Sequence, residues 1–222
     1  SLCNAALAAG GNRIQTHWNT DIAQIQKTQV WHALDMRGQA LAEAPVLVMA
    51  LGSHAQTFPQ TDKLPITLLR GQITQVAQDP FPPQAPVLCH DGYIIPGLES
   101  GICIGATYDN DPEAEPRTSS TRENLERLKR LLPGWNPGDI PSVDRVGFRS
   151  VARDRMPLVG ALSSATGLYA IMGMGSRGLV WSSIAAELIA AELEGDPLPL
   201  EKDLIKAIAP SRFDPASSLE RQ

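Results

Sequence analysis

The sequence predicts an α+β fold, and three stretches carry the prediction. Gly167–Leu193 reads as an apolar strand, a glycine turn and a helix. Val143–Val159 reads with the two-residue period of a strand, and Pro86–Tyr108 reads as a hairpin. Together they place α/β pieces at the two ends of the chain. Between those ends lies a mixed or antiparallel sheet with helices on one face.

Composition narrows the function. A chain of 222 residues makes one large domain or two small ones. It is 43% hydrophobic and 19% charged, as an ordinary globular protein is. A net charge of −5 excludes a global nucleic-acid footprint and leaves room only for a local basic patch. Cys3, Cys89 and Cys103 are odd in number and far apart, and His17, His32, His54 and His90 show no ligand spacing. No disulfide framework and no metal site are expected. Glu187 interrupts the best apolar run, so no membrane span is expected, and no signal peptide is visible. The expected location is the cytoplasm.

In chain order, Ser1–Ala9 is a short helical pattern stopped by Gly10-Gly11. Starting directly in a helix, with no leading strand, hints at a fragment. Ile22–Gln29 and Val30–Asp35 read as strands, with a turn at Arg37-Gly38. Pro45–Gly52 is apolar on both faces, as a central parallel strand is, and ends in Ala50-Leu51-Gly52. Ile66–Val76 is a strand carrying Arg70-Gly71-Gln72, and the proline-rich stretch from Pro80 to Pro86 is a rigid connector. After the hairpin comes an acidic loop, Asp109–Glu115. Ser120 and Glu123 form a candidate capping box for a helix over Thr121–Leu132. Leu125, Leu128, Leu131 and Leu132 give its core stripe; Arg122, Arg127, Lys129 and Arg130 give its solvated face.

In Val143–Val159, strand period puts Arg145, Gly147, Arg149, Val151, Arg153 and Arg155 on one face. Val146, Phe148, Ser150, Ala152 and Met156 take the other. Four arginines on one face are either a surface ladder paired with Asp144, Asp154 and the acidic loop, or a grip on a carboxylate or phosphate.

In Gly167–Leu193, Gly173, Gly175 and Gly178 stand as G-x-G-x-x-G, and Leu179, Val180, Ile184, Leu188 and Ile189 lie on one side of the following helix. A helix N-terminus behind glycines can meet an anionic or electron-rich ligand; the alternative is a tight turn with none. Leu198-Pro199-Leu200 follows where a dinucleotide fingerprint needs a second strand, so this is not the start of a nucleotide-binding domain. It reads better as such a domain's closing piece. Asp203–Ala209 is a short helix ended by Pro210, and the tail beyond Phe213 reads as frayed.

Ala-Leu-Gly after a buried strand, Arg-Gly-Gln in the next, Tyr93-Ile-Ile-Pro, Ile104-Gly-Ala-Thr, GFRSVARDRMPLVG and GLYAIMGMGSRGL together resemble the FAD-dependent amine oxidoreductases of the D-amino-acid oxidase and glycine oxidase type. Within them, the two long motifs are most similar to the oxidase domain of a bifunctional bacterial enzyme of tRNA wobble-uridine modification. The resemblance covers nearly the whole chain and implies an incomplete fold of that type. The first βαβ, with its pyrophosphate fingerprint, and a methyltransferase domain would precede Ser1. It assigns residues 1–59 and 163–222 to part of an FAD-binding domain and 60–162 to a substrate domain.

The resemblance also implies roles. Gly173, Met174, Gly175, Ser176, Arg177, Gly178 and Leu179 would lie along the FAD, with the backbone from Gly175 to Leu179 under its ring. Ile22 would lie near the adenine, and Ala50 and Gly52 near the ADP part. Arg149 would pair with a substrate carboxylate, Tyr93 would line that pocket, and Arg153 would serve the substrate; Arg153, Arg155 and Arg177 are candidates for a tRNA patch. Met174-Gly175-Ser176-Arg177 replaces the His-Phe-Arg-Asn typical of glycine oxidases, which favours the tRNA enzyme. The implied reaction is removal of the carboxymethyl group from 5-carboxymethylaminomethyl-(2-thio)uridine, releasing glyoxylate. Two alternatives stand beside it: a small-molecule amine oxidase acting on glycine, sarcosine or D-amino acids, and an inactive remnant serving as a binding module.

Overall fold

The computed structural model describes residues 2–77, 85–98, 101–134 and 141–214. The chain divides into two compact units, Ser1–Leu47 and Val48–Gln222.

The first unit opens with helix α1 (Leu2–Gly10) and a 3₁₀ turn at Gly11–Arg13. Strands β1 (Gln24–Lys27), β2 (Trp31–Leu34) and β3 (Ala40–Ala44) follow as an antiparallel meander. Its buried side chains include Ile25, Trp31 and Ala33. Asp35 shapes the turn between β2 and β3: its Oδ1 accepts from the backbone N–H groups of Arg37 and Gln39, both at 2.8 Å.

The second unit contains two sheets. Strand β4 (Leu47–Met49) leads into a 3₁₀ turn at Gly52–His54. Next come β5 (Ile66–Val76), β6 (Leu88–Cys89), β7 (Tyr93–Leu98), β8 (Gly101–Gly105), helix α2 (Thr118–Leu131) and β9 (Ser142–Ala152). Strands β10 (Leu158–Ala161) and β11 (Leu168–Met172) precede helices α3 (Gly178–Glu194) and α4 (Lys202–Ile208). The five-stranded sheet runs β6-β7-β8-β5-β9, and its β5–β9 ladder stays in register from Ile66–Ala152 to Val76–Ser142. The three-stranded sheet runs β10-β11-β4.

Apolar periodicity explains both cores. On one face of the five-stranded sheet, Val76, Ile94, Ile102 and Ile104 bury against Leu128 of α2, with Leu125, Leu131 and Leu132 around them. Against β10, Ala185, Leu188 and Ile189 of α3 pack with Val159 and with Ile208 of α4.

Four expectations need correction. The apolar run Pro45–Gly52 yields a three-residue strand at an edge, not a central one: among the described residues β4 pairs only with β11, and Val48 is 39% exposed. Helix α2 begins at Thr118 behind Arg117, without a side-chain cap. Ser120 therefore lies inside the first turn, buried, and no Ser120 capping box forms. The β9 strand stops at Ala152, so Arg153 and Arg155 fall in a turn rather than on a four-arginine face. In α3, Leu179 and Val180 are 85% and 77% exposed and leave the buried stripe to Ala185, Leu188, Ile189 and Ala191. The Pro80–Pro86 connector falls largely outside the described residues, as does the tail after Asp214.

Candidate functional site

Strand alternation sorts β5 into two sets. Arg70, Gln72, Thr74 and Val76 point toward α2, while Leu69, Gly71 and Ile73 point to the open face. The antiparallel register carries this sorting into β9: Arg149 lies opposite Leu69, Gly147 opposite Gly71, and Arg145 opposite Ile73. It carries it into β7 and β8 as well, putting Tyr93 opposite Gly105 and Cys103 opposite Gln75.

Arg149 dominates the open face. Its guanidinium stacks on the ring of Tyr108, 4.6 Å from the centroid. It also lies over Gly71, where any Cβ would overlap it, so the glycine is required for this close approach. The Nη1 of Arg149 is buried and, among the described residues, has no hydrogen-bond partner. Orphaned buried donors are costly, and a cationic one calls for an anion. Tyr93 shares this environment. Burial pushes its hydroxyl above the ordinary tyrosine value, and the Arg149 charge pulls the other way. Burial likewise pushes the Cys103 thiol up.

The ladder of acids foreseen for these arginines pairs elsewhere. Asp144 accepts from Thr74 Oγ1 at 2.7 Å and Thr121 Oγ1 at 2.8 Å, on the α2 face. Asp154 binds Arg212 at 2.7 Å. Burial alone would raise the Asp154 carboxyl, but the Arg212 guanidinium and the Met156 N–H together outweigh it and hold the group below its usual range. The acidic loop is held by Arg70 and Arg117. Arg70 is fully buried and donates to Glu113 O at 2.7 Å, Glu115 O at 2.7 Å, Asp109 Oδ2 at 3.0 Å and Gln72 Oε1 at 3.1 Å. Gln72 in turn donates to Arg117 O and Thr121 Oγ1 and accepts from the Arg117 N–H.

Two turns meet β9. The neighbouring strands β4 and β11 each run into a glycine-led 3₁₀ turn, Gly52–His54 and Gly175–Arg177, and both turns pack against β9. Met174 forms a bridge with Val151, two residues from Arg149 on the same face. Gly175 has φ +56 and leaves its would-be Cβ in ordinary contact with Val151, at 3.8 Å. The turn is left-handed there, which favours glycine. Helix α3 starts at Gly178 with no side chain capping its first N–H groups.

The structure therefore brings Arg149 and Tyr93 to one face of the five-stranded sheet, the turn at Met174 and Gly175 to Val151 of β9, and the Gly52–His54 turn to the same strand. Ala50 is exposed between β4 and its turn. Ser176 and Arg177 are exposed. Arg153 sits apart, exposed, with its guanidinium 5.3 Å from the Phe213 ring. Arg155, also exposed, has φ 63 in the same turn. Ile22 belongs to the first unit and is 45% exposed. Sequence reasoning missed Tyr108 and the accommodating role of Gly71; the latter was readable only as the glycine between Arg70 and Gln72. Two cavities open elsewhere. One of about 340 Å³ lies among Leu68, Asn110, Asp111, Pro112 and Phe148, and one of about 400 Å³ includes Lys63, Ser163, Ser164 and Phe213. Neither is lined by Arg149, whose orphaned donor marks the more informative site. Among the described residues no cluster of His, Cys, Asp or Glu could hold a metal, and no helix is long and apolar enough to cross a membrane.

Comparison with known proteins matches this geometry to a family. The protein-family model for DAO, the FAD dependent oxidoreductases, matches residues 1–192. The tRNA 5-methylaminomethyl-2-thiouridine biosynthesis bifunctional protein MnmC of Azoarcus sp. (strain BH72) is 40% identical over 96% of this chain and 36% of that protein. The protein of the same name from Burkholderia multivorans is also 40% identical, with the same coverage. The chain thus spans about a third of the length of these curated relatives. Among solved structures, glycine oxidase from Geobacillus kaustophilus superposes with a TM-score of 0.72 at 18% identity, over 87% of this chain and 52% of that one. Iminodiacetate oxidase (IdaA) from Chelativorans sp. BNC1 gives 0.70 at 21%, over 84% and 52%. These likenesses bear out the expected flavoprotein fold. With a family model matching most of its length and relatives at 40% identity, the chain belongs to the DAO family of FAD dependent oxidoreductases.

Proposed function

We propose that this chain is the oxidase part of a tRNA wobble-uridine modification enzyme. It would remove the carboxymethyl group from 5-carboxymethylaminomethyl-(2-thio)uridine, leaving the aminomethyl nucleoside and releasing glyoxylate. The observation that carries the reading is the buried, partnerless Nη1 of Arg149, held over Gly71 and stacked on Tyr108. The names of the relatives at 40% identity supply the substrate class.

The residues fit a flavin. The left-handed turn at Gly175, the uncapped start of α3, and the exposed apolar Leu179 and Val180 offer backbone donors beside apolar surface. We assign Gly173, Met174, Gly175, Ser176, Arg177, Gly178 and Leu179 to FAD, with Ala50 and Gly52 toward its ADP part and Ile22 toward its adenine. The same reading gives residues 60–162 to the substrate side and 1–59 with 163–222 to the cofactor side. When bound, FAD supplies the two-electron oxidation of the carbon–nitrogen bond.

The protein's own contribution is orientation. Arg149 grips the substrate carboxylate through two parallel N–H groups, as a planar guanidinium can. The grip fixes the adjacent carbon relative to the turn that meets β9 two residues further on. Tyr93, kept protonated by its burial, lines the same face as a neutral hydroxyl. A methyltransferase domain as partner and a cytoplasmic location accompany the reading. Replacing Arg149 by Ala in the flavin-loaded full-length enzyme should weaken turnover of the carboxylated tRNA by roughly 2–5 kcal/mol of transition-state stabilisation, read as kcat/KM. Wild-type kinetics in that variant would remove the carboxylate grip from the scheme.

A further inference from the structure

We propose that Arg145 is a phosphate contact for the RNA strand that carries the substrate arm; the inference rests on the wobble-uridine reading above. Strand β9 orders the site along a line. Val151 meets the Met174 turn, Arg149 follows two residues back, Gly147 two further, and Arg145 two beyond that, all on the open face. The line therefore runs from the cofactor turn, through the carboxylate grip, to a second cation.

The ground between the two arginines is bare. A Cβ built on Gly147 meets no atom within 4 Å, and Gly147 is exposed. Across the ladder, the atoms nearest a would-be Cβ on Gly71 are those of the Arg149 guanidinium. Arg145 itself is exposed and, among the described residues, has no acidic partner, because the adjacent Asp144 turns to the α2 face and bonds Thr74 and Thr121. Four strand residues separate the roots of the two arginines by roughly 13 Å. A nucleotide is of that order from its phosphate to the end of a carboxylated side arm. A substrate held by its carboxylate at Arg149 and laid over Gly147 thus brings its backbone phosphate to Arg145. Arg153 and Arg155 lie past the other end of the strand, beyond the cofactor turn, and are not on this line.

The test is binding of an anticodon stem-loop RNA to the flavin-loaded full-length enzyme, followed by fluorescence anisotropy over a series of salt concentrations. Arg145→Gln should weaken binding about five- to tenfold at low salt. It should lower the slope of log affinity against log salt by about 0.7–0.9, the contribution of one phosphate. Arg145→Lys, which keeps the charge, should recover most of both. Wild-type affinity and slope in Arg145→Gln would overturn the phosphate contact while leaving the wobble-uridine reading intact. Absence of stem-loop binding by the wild-type enzyme would overturn that reading and this inference together.

Discussion

The five-stranded sheet has two faces, and each holds a buried arginine nitrogen. On the α2 face, Arg70 is fully buried and each of its three guanidinium nitrogens is answered, by two carbonyls, one carboxylate and one amide oxygen in all. On the open face, Arg149 rests on an aromatic ring and a glycine, with Nη1 unanswered. The two side chains come from neighbouring strands and have the same chemistry. What separates structure from function here is whether the hydrogen bonds close. A satisfied buried cation holds the fold together; an unsatisfied one costs stability, and the proposed carboxylate grip would account for it.

The contrast can be broken from either side. Arg70→Ala should destabilise the protein by about 3 kcal/mol, the low end for opening a buried pair, because Asp109 keeps 30% of its side chain in water. Denaturant unfolding would show it, and a wild-type midpoint would mean that the network is ornamental. On the other face, Gly71→Ala should leave the unfolding midpoint almost unmoved, because the atom in the way is the end of a flexible side chain. Displacing the guanidinium should instead lower kcat/KM by on the order of tenfold to a hundredfold. A stability loss without a kinetic one would reverse the assignment of the two faces. Tyr108→Leu should cost least. It removes the ring under Arg149 but keeps apolar cover, so affinity for a carboxylate ligand, measured by calorimetry on the flavin-loaded enzyme, should fall by about 1 kcal/mol. Unchanged affinity would show that the stacking is incidental.

Local pattern made much of this legible. Ile66–Val76 reads as a strand and is β5, the period of two locates β9, Pro86–Tyr108 reads as a hairpin and holds β7 and β8, and the apolar strand before the glycines locates β11. Arg149 was legible because it lies in a distinctive motif. The division of labour between the faces was not. Arg70 finds its partners in the acidic loop 39 to 45 residues away, and nothing in the spacing of an arginine and an acidic loop says which cation the loop will take. Asp144 and Asp154 were read as neighbours of the arginines in sequence, but strand alternation and the early end of β9 sent both elsewhere. Helix α2 started before its apparent cap because the segment entering it is fixed by Gln72 and not by Ser120.

One feature of the satisfied face reaches through to the other. Asp109 exchanges two backbone hydrogen bonds with Arg70, each at 2.9 Å, and adds an ion pair through its side chain. Tyr108 is the residue before it. The ring that supports Arg149 is therefore tied, one peptide away, to the most firmly anchored group in the sheet. The backbone that carries this ring has little freedom left to lose when a ligand arrives, while the ring itself is 57% exposed and the guanidinium on it is the end of a flexible side chain. On the proposed function, the affinity that would otherwise be spent on ordering this loop would be retained by the complex, so the loop would be pre-organised by a network that does not itself reach the substrate.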